Sequence, residues 1–224
     1  MATVTDFFCG AGGSSTGYVE AGWRVETAAN HWALAVDSHN ANHPDTRHLV
    51  ANINIMDMRS IPSTDVLHAS VICTEISPAG GRKRRPTPGQ GMLGEAFPEV
   101  ADGLGALPRE AFDHTRATAL DVIRATEVHR YPLVVVENVV EFVRDWELFD
   151  WWRQGMHLLG YTSQIVSASS AHLGDHVTNL PAPQWRDRVY LVFARNGIKV
   201  PDLSPDPLAW CGHCGADAPA VQAW

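Results

Sequence analysis

Cysteine is scarce in this chain. Four occur in 224 residues, Cys9, Cys73, Cys211 and Cys214. So few, so unevenly spread, exclude a disulfide framework. Basic charge is not in excess either. Seventeen lysines and arginines face 25 aspartates and glutamates, for a formal net charge of −8. That excludes a nucleic-acid binder working through its whole surface. No apolar run reaches the length of a membrane span, and no basic-then-apolar leader precedes the first apolar segment. A cytosolic protein with no membrane partner is expected. There is no internal repeat. No Gly-Lys-Ser/Thr closes a glycine loop, which excludes a nucleoside-triphosphate P-loop.

What the chain has is a 45% hydrophobic content, enough for one large α/β core, and a glycine turn near its start. The run Asp6-Phe7-Phe8-Cys9-Gly10-Ala11-Gly12-Gly13-Ser14-Ser15 opens as a strand and breaks into glycines. It has the layout of a cofactor loop between a first parallel strand and a helix. Without Cβ atoms, Gly10, Gly12 and Gly13 allow close approach of a ligand to backbone amides. Ser14 or Ser15 is expected to cap the helix, whose N-terminal amides favour a carboxylate. The spacing Gly-x-Gly-Gly disfavours a dinucleotide.

Strand-like and helical patterns alternate downstream. Strands are expected at Val4–Cys9, Arg24–Ala29, His48–Ile53, Asp65–Cys73, Leu133–Val136, Tyr161–Ser167 and Arg188–Ala194. Helices are expected at Ser14–Ala21, Ala33–Ala41, from Phe112 through Arg130, and at Trp146–Leu159. The continuous, mostly β-branched run Leu133–Val136 predicts a central strand buried on both faces. The alternation predicts a mostly parallel sheet with helices on both faces. Pro78–Pro108 is Gly/Pro-rich, carries the basic run Arg82–Arg85, and has the length of a functional loop. After Gly197 a Pro-spaced linker leads to Cys211-Gly212-His213-Cys214. His31, His39, His43 and His48 read as helix-end and loop residues rather than metal ligands.

In a parallel sheet, chemistry gathers at the carboxyl ends of the strands. Cys73 ends the fourth expected strand, Glu137-Asn138 ends the Leu133–Val136 strand, and Gln184–Arg188 leads into the last one. A thiolate near cations is a nucleophile. A carboxyl ending an apolar strand tends to be desolvated and to donate a hydrogen bond. Cys9 is expected to be inert, packed in the first strand.

These segments, in this order, resemble the motifs of the cytosine-C5 DNA methyltransferase family. Phe8-Cys9-Gly10-Ala11-Gly12-Gly13 is similar to its cofactor loop, Cys73-Thr74-Glu75-Ile76-Ser77 to its nucleophile motif, Glu137-Asn138-Val139 to its Glu-Asn-Val motif, and Gln184-x-Arg186-x-Arg188 to its Gln-x-Arg-x-Arg motif. The resemblance implies a Rossmann-like S-adenosylmethionine-dependent methyltransferase fold over 1–197, followed by a linker and incomplete CxxC extension over 198–224. It implies S-adenosyl-L-methionine as cofactor and double-stranded DNA as partner, in methylation of the restriction-modification kind. Cys73, Glu137, Arg186 and Arg188 would be catalytic. Phe8, Gly10, Ala11, Gly12, Gly13, Asn30, His31, Asn52 and Ile53 would bind the cofactor.

The implied mechanism suits these side chains. The Cys73 thiolate adds to C6 of a flipped-out cytosine, Glu137 engages N3, and the arginines hold the base and a nearby phosphate. The basic loop over 80–108 would close on the flipped base.

Three positions depart from the family. Val71-Ile72 lacks the proline expected before the nucleophile, which predicts a different or looser loop. Asn30 and Asn52 stand where acidic residues are expected around the cofactor. Hydrogen bonds without charge assistance are about half as strong, so weaker cofactor binding is expected. The target-recognition region and C-terminal helix of the family do not fit after Arg195. A missing C-terminal half or a partner subunit carrying target recognition is therefore expected. Two other readings stay open: a tRNA cytosine-C5 methyltransferase, and a catalytically weak cofactor- or DNA-binding subunit of a split or truncated enzyme. Cys211-x-x-Cys214 looks like half of a zinc ribbon. Its second ligand pair is not in this chain, so no metal site is assigned from the sequence.

Overall fold

The first apolar run forms strand β1 (Thr3–Phe7), and the glycine turn delivers the chain into α1 (Gly13–Glu20). β2 (Arg24–Asn30), α2 (Ala33–Asn42), β3 (Arg47–Val50) and β4 (Val66–Ser70) follow. Then come α3 (Ala111–His129), β5 (Leu133–Asn138), α4 (Val140–Arg144), α5 (Phe149–Leu158), β6 (Tyr161–Ser169) and β7 (Asp187–Arg195). A separate hairpin joins β8 (Leu208–Cys211) to β9 (Ala216–Pro219). This computed structural model describes residues 1–73, 111–173, 180, 182–205 and 208–220, with backbone alone at 111–114. The expected basic loop, and Thr74–Ser77 of the nucleophile motif, lie outside them.

Among the described residues seven strands form one sheet in the order β3-β2-β1-β4-β5-β7-β6. The pairs from β3 through β5 are parallel, and β7 runs antiparallel to both neighbours. Strand order reverses between β1 and β4, the switch point where open α/β sheets bind ligands. The expected mostly parallel α/β architecture holds. Among the described residues no helix is long and apolar enough to cross a membrane.

The core is lopsided. On one face, Leu67, Ala69, Val134, Val136 and Phe193 pack with Ala119, Val122 and Ala125 of α3 and Trp152 of α5. Trp152 is fully buried and its indole N–H donates to the Ala119 carbonyl at 2.7 Å. On the other face, among the described residues, Val4, Val25 and Val66 form a small buried cluster, edged by Tyr18, Trp23, Leu133 and Val135. The β5 run is therefore not buried on both faces as its composition predicts. Val134 and Val136 are buried, whereas Leu133 and Val135 are half-buried, and a cavity adjoins Val135.

Several boundaries move for local reasons. β1 stops at Phe7, so Cys9 lies in the following loop rather than in the strand. It is nonetheless buried, with its amide donating to the Ala29 carbonyl. The third strand ends at Val50. Asn52 then accepts a hydrogen bond from the Asn54 amide and starts a single 3₁₀ turn at Ile53–Ile55. β4 ends at Ser70, leaving Cys73 three residues out on a loop. The helix expected from Trp146 begins at Phe149, and α4 precedes it. Trp146 between them is buried and stacks on Phe142 at 4.9 Å.

Candidate active site

Ser14 and Ser15 do not cap α1. Both hydroxyls donate to the same Oδ2 of fully buried Asp6, at 2.7 Å each. Gly12 occupies the N-cap position with φ 99°. Its conformation and its surroundings both demand glycine, since an added Cβ would lie 2.7 Å from the His43 ring. Gly10, at φ 53°, faces open space instead. Phe8 is the unexpected member of this loop. It holds φ 58°, a left-handed conformation that is uncommon for a bulky side chain and marks sites held under strain.

Beneath the glycines lies a polar chain that the sequence did not announce. Ser15 contacts His39 Nε2 at 2.9 Å, and His39 Nδ1 meets His48 Nε2 at 2.8 Å. His43 Nε2 reaches the Gly12 carbonyl and the Thr16 hydroxyl, 3.1 Å from each. Three of the four histidines taken as separate helix-end and loop residues thus meet under the glycine loop. Burial holds the His39 and His48 imidazoles below their ordinary pKa. Among the described residues no group of three or more His, Cys, Asp or Glu side chains, this one included, is arranged so that it could hold a metal ion.

Two cavities open at the switch point, and Phe8 lines both. One, of about 440 Å³, is bounded by His31, Asn52, Ile53, Asn54, Ile72 and Thr118. The other, of about 740 Å³, runs from Gly10, Ala11 and Gly13 past Tyr18 and His68 to Glu137, Arg186 and Tyr190. Both volumes suit small-molecule sites. Of the expected cofactor residues, Phe8, Gly10, Ala11, Gly13, His31, Asn52 and Ile53 line these cavities. Gly12 supports the loop from below. Asn30 turns back on its own chain, accepting from the Trp32 amide at 3.0 Å.

The reactive groups converge because β7 is reversed. Glu137 is paired with Tyr190 across the β5–β7 ladder, so Arg188, two residues earlier, is its diagonal neighbour on the same face. Arg188 Nε lies 2.9 Å from Glu137 Oε1. Glu137 is therefore not the uncompensated carboxyl that its apolar strand predicts. It is half of an ion pair. Exposed Arg186 borders the same cavity. Burial, and secondarily the charge of Glu137, push the Cys73 thiol up from its ordinary pKa, while Arg188 and Arg186 pull it down. Cys9, by contrast, is driven to about 12 by burial and then by Asp6, with one weaker backbone hydrogen bond opposing, as expected of an inert thiol.

The loop that carries Cys73 is pinned rather than loose. Asn138 Nδ2 donates to the Val71 carbonyl at 3.2 Å, Thr115 Oγ1 donates to the Ile72 carbonyl at 2.9 Å, and the Ile72 amide donates to Thr118 Oγ1 at 3.2 Å. A proline at Ile72 would lack that amide. Thr115 and Thr118 escaped the sequence reading, being two hydroxyls on a helix with an apolar stripe. Tyr18, His68, Ser70 and Tyr190 also escaped it. Tyr18 Oη, His68 and Ser70 form a chain of 3.2 Å contacts along the larger cavity. The available signal was the i, i+2 polar pair His68 and Ser70 within an otherwise apolar strand.

Residues 2–100 match the family model of C-5 cytosine-specific DNA methylases. The methylase match contains the glycine loop, Asn30, Asn52 and Cys73. The fold is that of larger proteins. It superposes with TM-score 0.63 and 16% identity on an E. coli protein described as a DNA modification methyltransferase encoded within a prophage, covering 90% of this chain and 49% of that one. Spodoptera frugiperda DNMT2 gives TM-score 0.63 at 16% identity, covering 92% and 54%. S. pombe Dnmt2 gives 0.61 at 14%, covering 89% and 53%. The chain thus spans about half the length of these structures and shares their Rossmann-like methyltransferase fold. No curated protein sequence matches it.

Proposed function

We propose that this chain is the catalytic half of a cytosine-C5 methyltransferase acting on DNA, with S-adenosyl-L-methionine as methyl donor. The observation that carries this reading is the Arg188–Glu137 ion pair beside Cys73, at the same sheet edge as the glycine loop. The donor set fits the cofactor. Gly10 leaves room that a Cβ would fill, and the smaller cavity offers apolar walls from Phe8, Ile53 and Ile72 with polar groups from Asn52 and His31. Phe8, Gly10, Ala11, His31, Asn52 and Ile53 would hold it. When bound, its sulfonium supplies an electrophilic methyl group.

The rest of the chemistry falls to this chain. Cys73 adds as thiolate to C6 of the flipped cytosine, and Glu137, carrying a proton into the complex, donates it to N3 as the ring's electron pair moves there. Burial is the larger cause of the raised Cys73 thiol pKa; a protonated Glu137 no longer adds its charge to that cause, while Arg188 and Arg186 continue to favour the thiolate. After methylation a solvent base takes the C5 proton, the C6–S bond breaks with its electron pair on Cys73, and N3 returns its proton to Glu137. Target recognition is supplied by a segment or subunit beyond these residues.

Incubation with cofactor and a 5-fluorocytosine duplex tests this reading, since the missing C5 proton traps the adduct. The expected result is a covalent complex that Cys73→Ser abolishes. A matched RNA strand is expected to trap less. No adduct across varied sequences in the presence of cofactor, or an undiminished one in Cys73→Ser, would overturn the mechanism. By calorimetry Asn52→Asp is expected to tighten cofactor binding several-fold, because a carboxylate accepts about twice as strongly. Equal affinities would remove Asn52 from the pocket.

A further inference from the structure

Helix α3 carries a polar stripe beside its apolar one. Thr115, Thr118, Asp121 and Arg124 recur every three residues, a spacing that keeps side chains on one helix face. The two threonines pin the Cys73 loop through Ile72. Arg124 reaches a different segment, the connection between β3 and β4.

That connection has little of its own to hold it. It forms two single 3₁₀ turns, at Ile53–Ile55 and Met58–Ser60. A single turn closes few hydrogen bonds, so its remaining carbonyls need partners from elsewhere. Ile53 is buried, but Asn52 and Asn54 on either side of it are exposed. All three line the smaller cavity.

One guanidinium gathers the carbonyls of this turn. Arg124 Nη1 donates to the Asn54 carbonyl at 2.8 Å and, at 3.3 Å, to the Ile53 carbonyl, while Nη2 donates to the Met56 carbonyl at 2.9 Å. Buried Asp121 fixes the fork from behind, with Oδ1 2.6 Å from Nη1. A planar guanidinium presents donors in a fixed fork, whereas a lysine ammonium is a point charge. The helix behind it is fastened in turn. Ala119, Val122 and Ala125 belong to the core, and Trp152 holds the Ala119 carbonyl.

His129, at the end of the same helix, provides the comparison. Its Nε2 donates to the Met58 carbonyl at 2.6 Å, and its Nδ1 lies 2.8 Å from the Ser63 hydroxyl. It holds the same connection farther along, at residues that do not line the smaller cavity.

We propose that Arg124 is a positioning residue for the methyl donor. By holding the Ile53, Asn54 and Met56 carbonyls it keeps the Asn52–Asn54 turn in the form that binds, without lining the cavity itself. This rests on the reading of the smaller cavity as part of the S-adenosyl-L-methionine site. Without the clamp the turn opens, and apparent affinity falls with the fraction still ready to bind.

Calorimetric titration of the full chain with S-adenosyl-L-methionine tests it. Arg124→Ala should weaken binding about tenfold, as when the ready form falls to about a tenth of the population. Arg124→Lys, which keeps the charge and loses the fork, should weaken it about threefold. Hydrogen exchange of the cofactor-free protein should quicken at the Asn54, Ile55 and Met56 amides in both variants. His129→Ala should lower the melting temperature yet bind as the wild type does. In adduct formation with a 5-fluorocytosine duplex, Arg124→Lys should raise the half-saturating cofactor concentration and leave the saturated rate within about twofold, a split that a general loss of structure would not give. Wild-type affinity in either Arg124 variant, or an equal loss in His129→Ala, would overturn the proposal and leave the cofactor reading standing. No binding by the wild-type chain would overturn that reading, and the proposal with it.

Discussion

Gly10 and Gly12 sit two residues apart with positive φ, yet substitution of each by alanine should fail in opposite ways. At Gly12, φ 99° lies beyond the narrow left-handed well open to alanine. The backbone cost is about 1–2 kcal/mol. The new methyl would also lie 2.7 Å from the His43 ring and 3.2 Å from the His39 ring. Overpacking of that kind costs about 1–3 kcal/mol more. Gly12→Ala should therefore destabilise the protein by about 2–5 kcal/mol, a large share of a typical total of about 5–15 kcal/mol. At Gly10, φ 53° falls inside the left-handed well and nothing lies within 4 Å of the added Cβ. Gly10→Ala should cost only the backbone term, about 1–2 kcal/mol. The empty space beside Gly10 belongs to the larger cavity, however, so its methyl should obstruct the cofactor. Urea denaturation and calorimetric titration with S-adenosyl-L-methionine, on both variants, separate the two effects. Gly12→Ala should lose the more stability, and Gly10→Ala the more affinity per kcal/mol of stability lost. Equal stability losses, or normal cofactor binding by Gly10→Ala, would refute the assignment of one glycine to the scaffold and the other to the ligand.

Thr118→Val removes the acceptor for the half-buried Ile72 amide, and since a fully buried unpaired donor costs about 1–3 kcal/mol, the loss should lie toward about 1 kcal/mol. Denaturation should register that loss, and single-turnover methyl transfer should slow because the Cys73 loop is released. Alkylation of Cys73, followed by peptide mass spectrometry, should have its pH midpoint above the value of about 8.5 for a free thiol. Glu137→Gln should bring that midpoint down; an unchanged midpoint would mean Glu137 does not act on the thiol. The His39 and His48 imidazoles have folded pKa values depressed below the unfolded one of about 6.5. Their contribution to stability is present above that pH and is lost as pH falls through the folded values. Urea midpoints should therefore drop below pH 6.5, and less steeply in His39→Gln.

The fold was legible because its signals are local. Apolar runs bounded by glycines and prolines gave the strands, and helical periodicity gave α3. The candidate site was legible where chemistry and position coincide, at Cys73, Glu137 and Arg188. What escaped depended on neighbours far away in sequence. Ser14 and Ser15 looked like caps because capping is the common local use of serine; the competing acceptor, Asp6, is reached only once β1 and α1 have packed. The β5 run reads as doubly buried from its composition, and only the sheet reveals the cavity beside it. The pinning of Ile72 needs two threonines more than 40 positions away.

The reversed last strand carries a consequence for how such a protein changes over generations. β6 and β7 are zipped together from Tyr161↔Arg195 to Ser169↔Asp187, and their connection emerges beside Glu137. Length added there ahead of Ala182 leaves every rung of that ladder in register, and Glu137 and Arg188 where they are. The connection can change in length while the ladder that carries Arg188 opposite Glu137 keeps its geometry. The length of the connection and the pairing of Glu137 with Arg188 are thereby set by separate stretches of chain, free to vary at different rates.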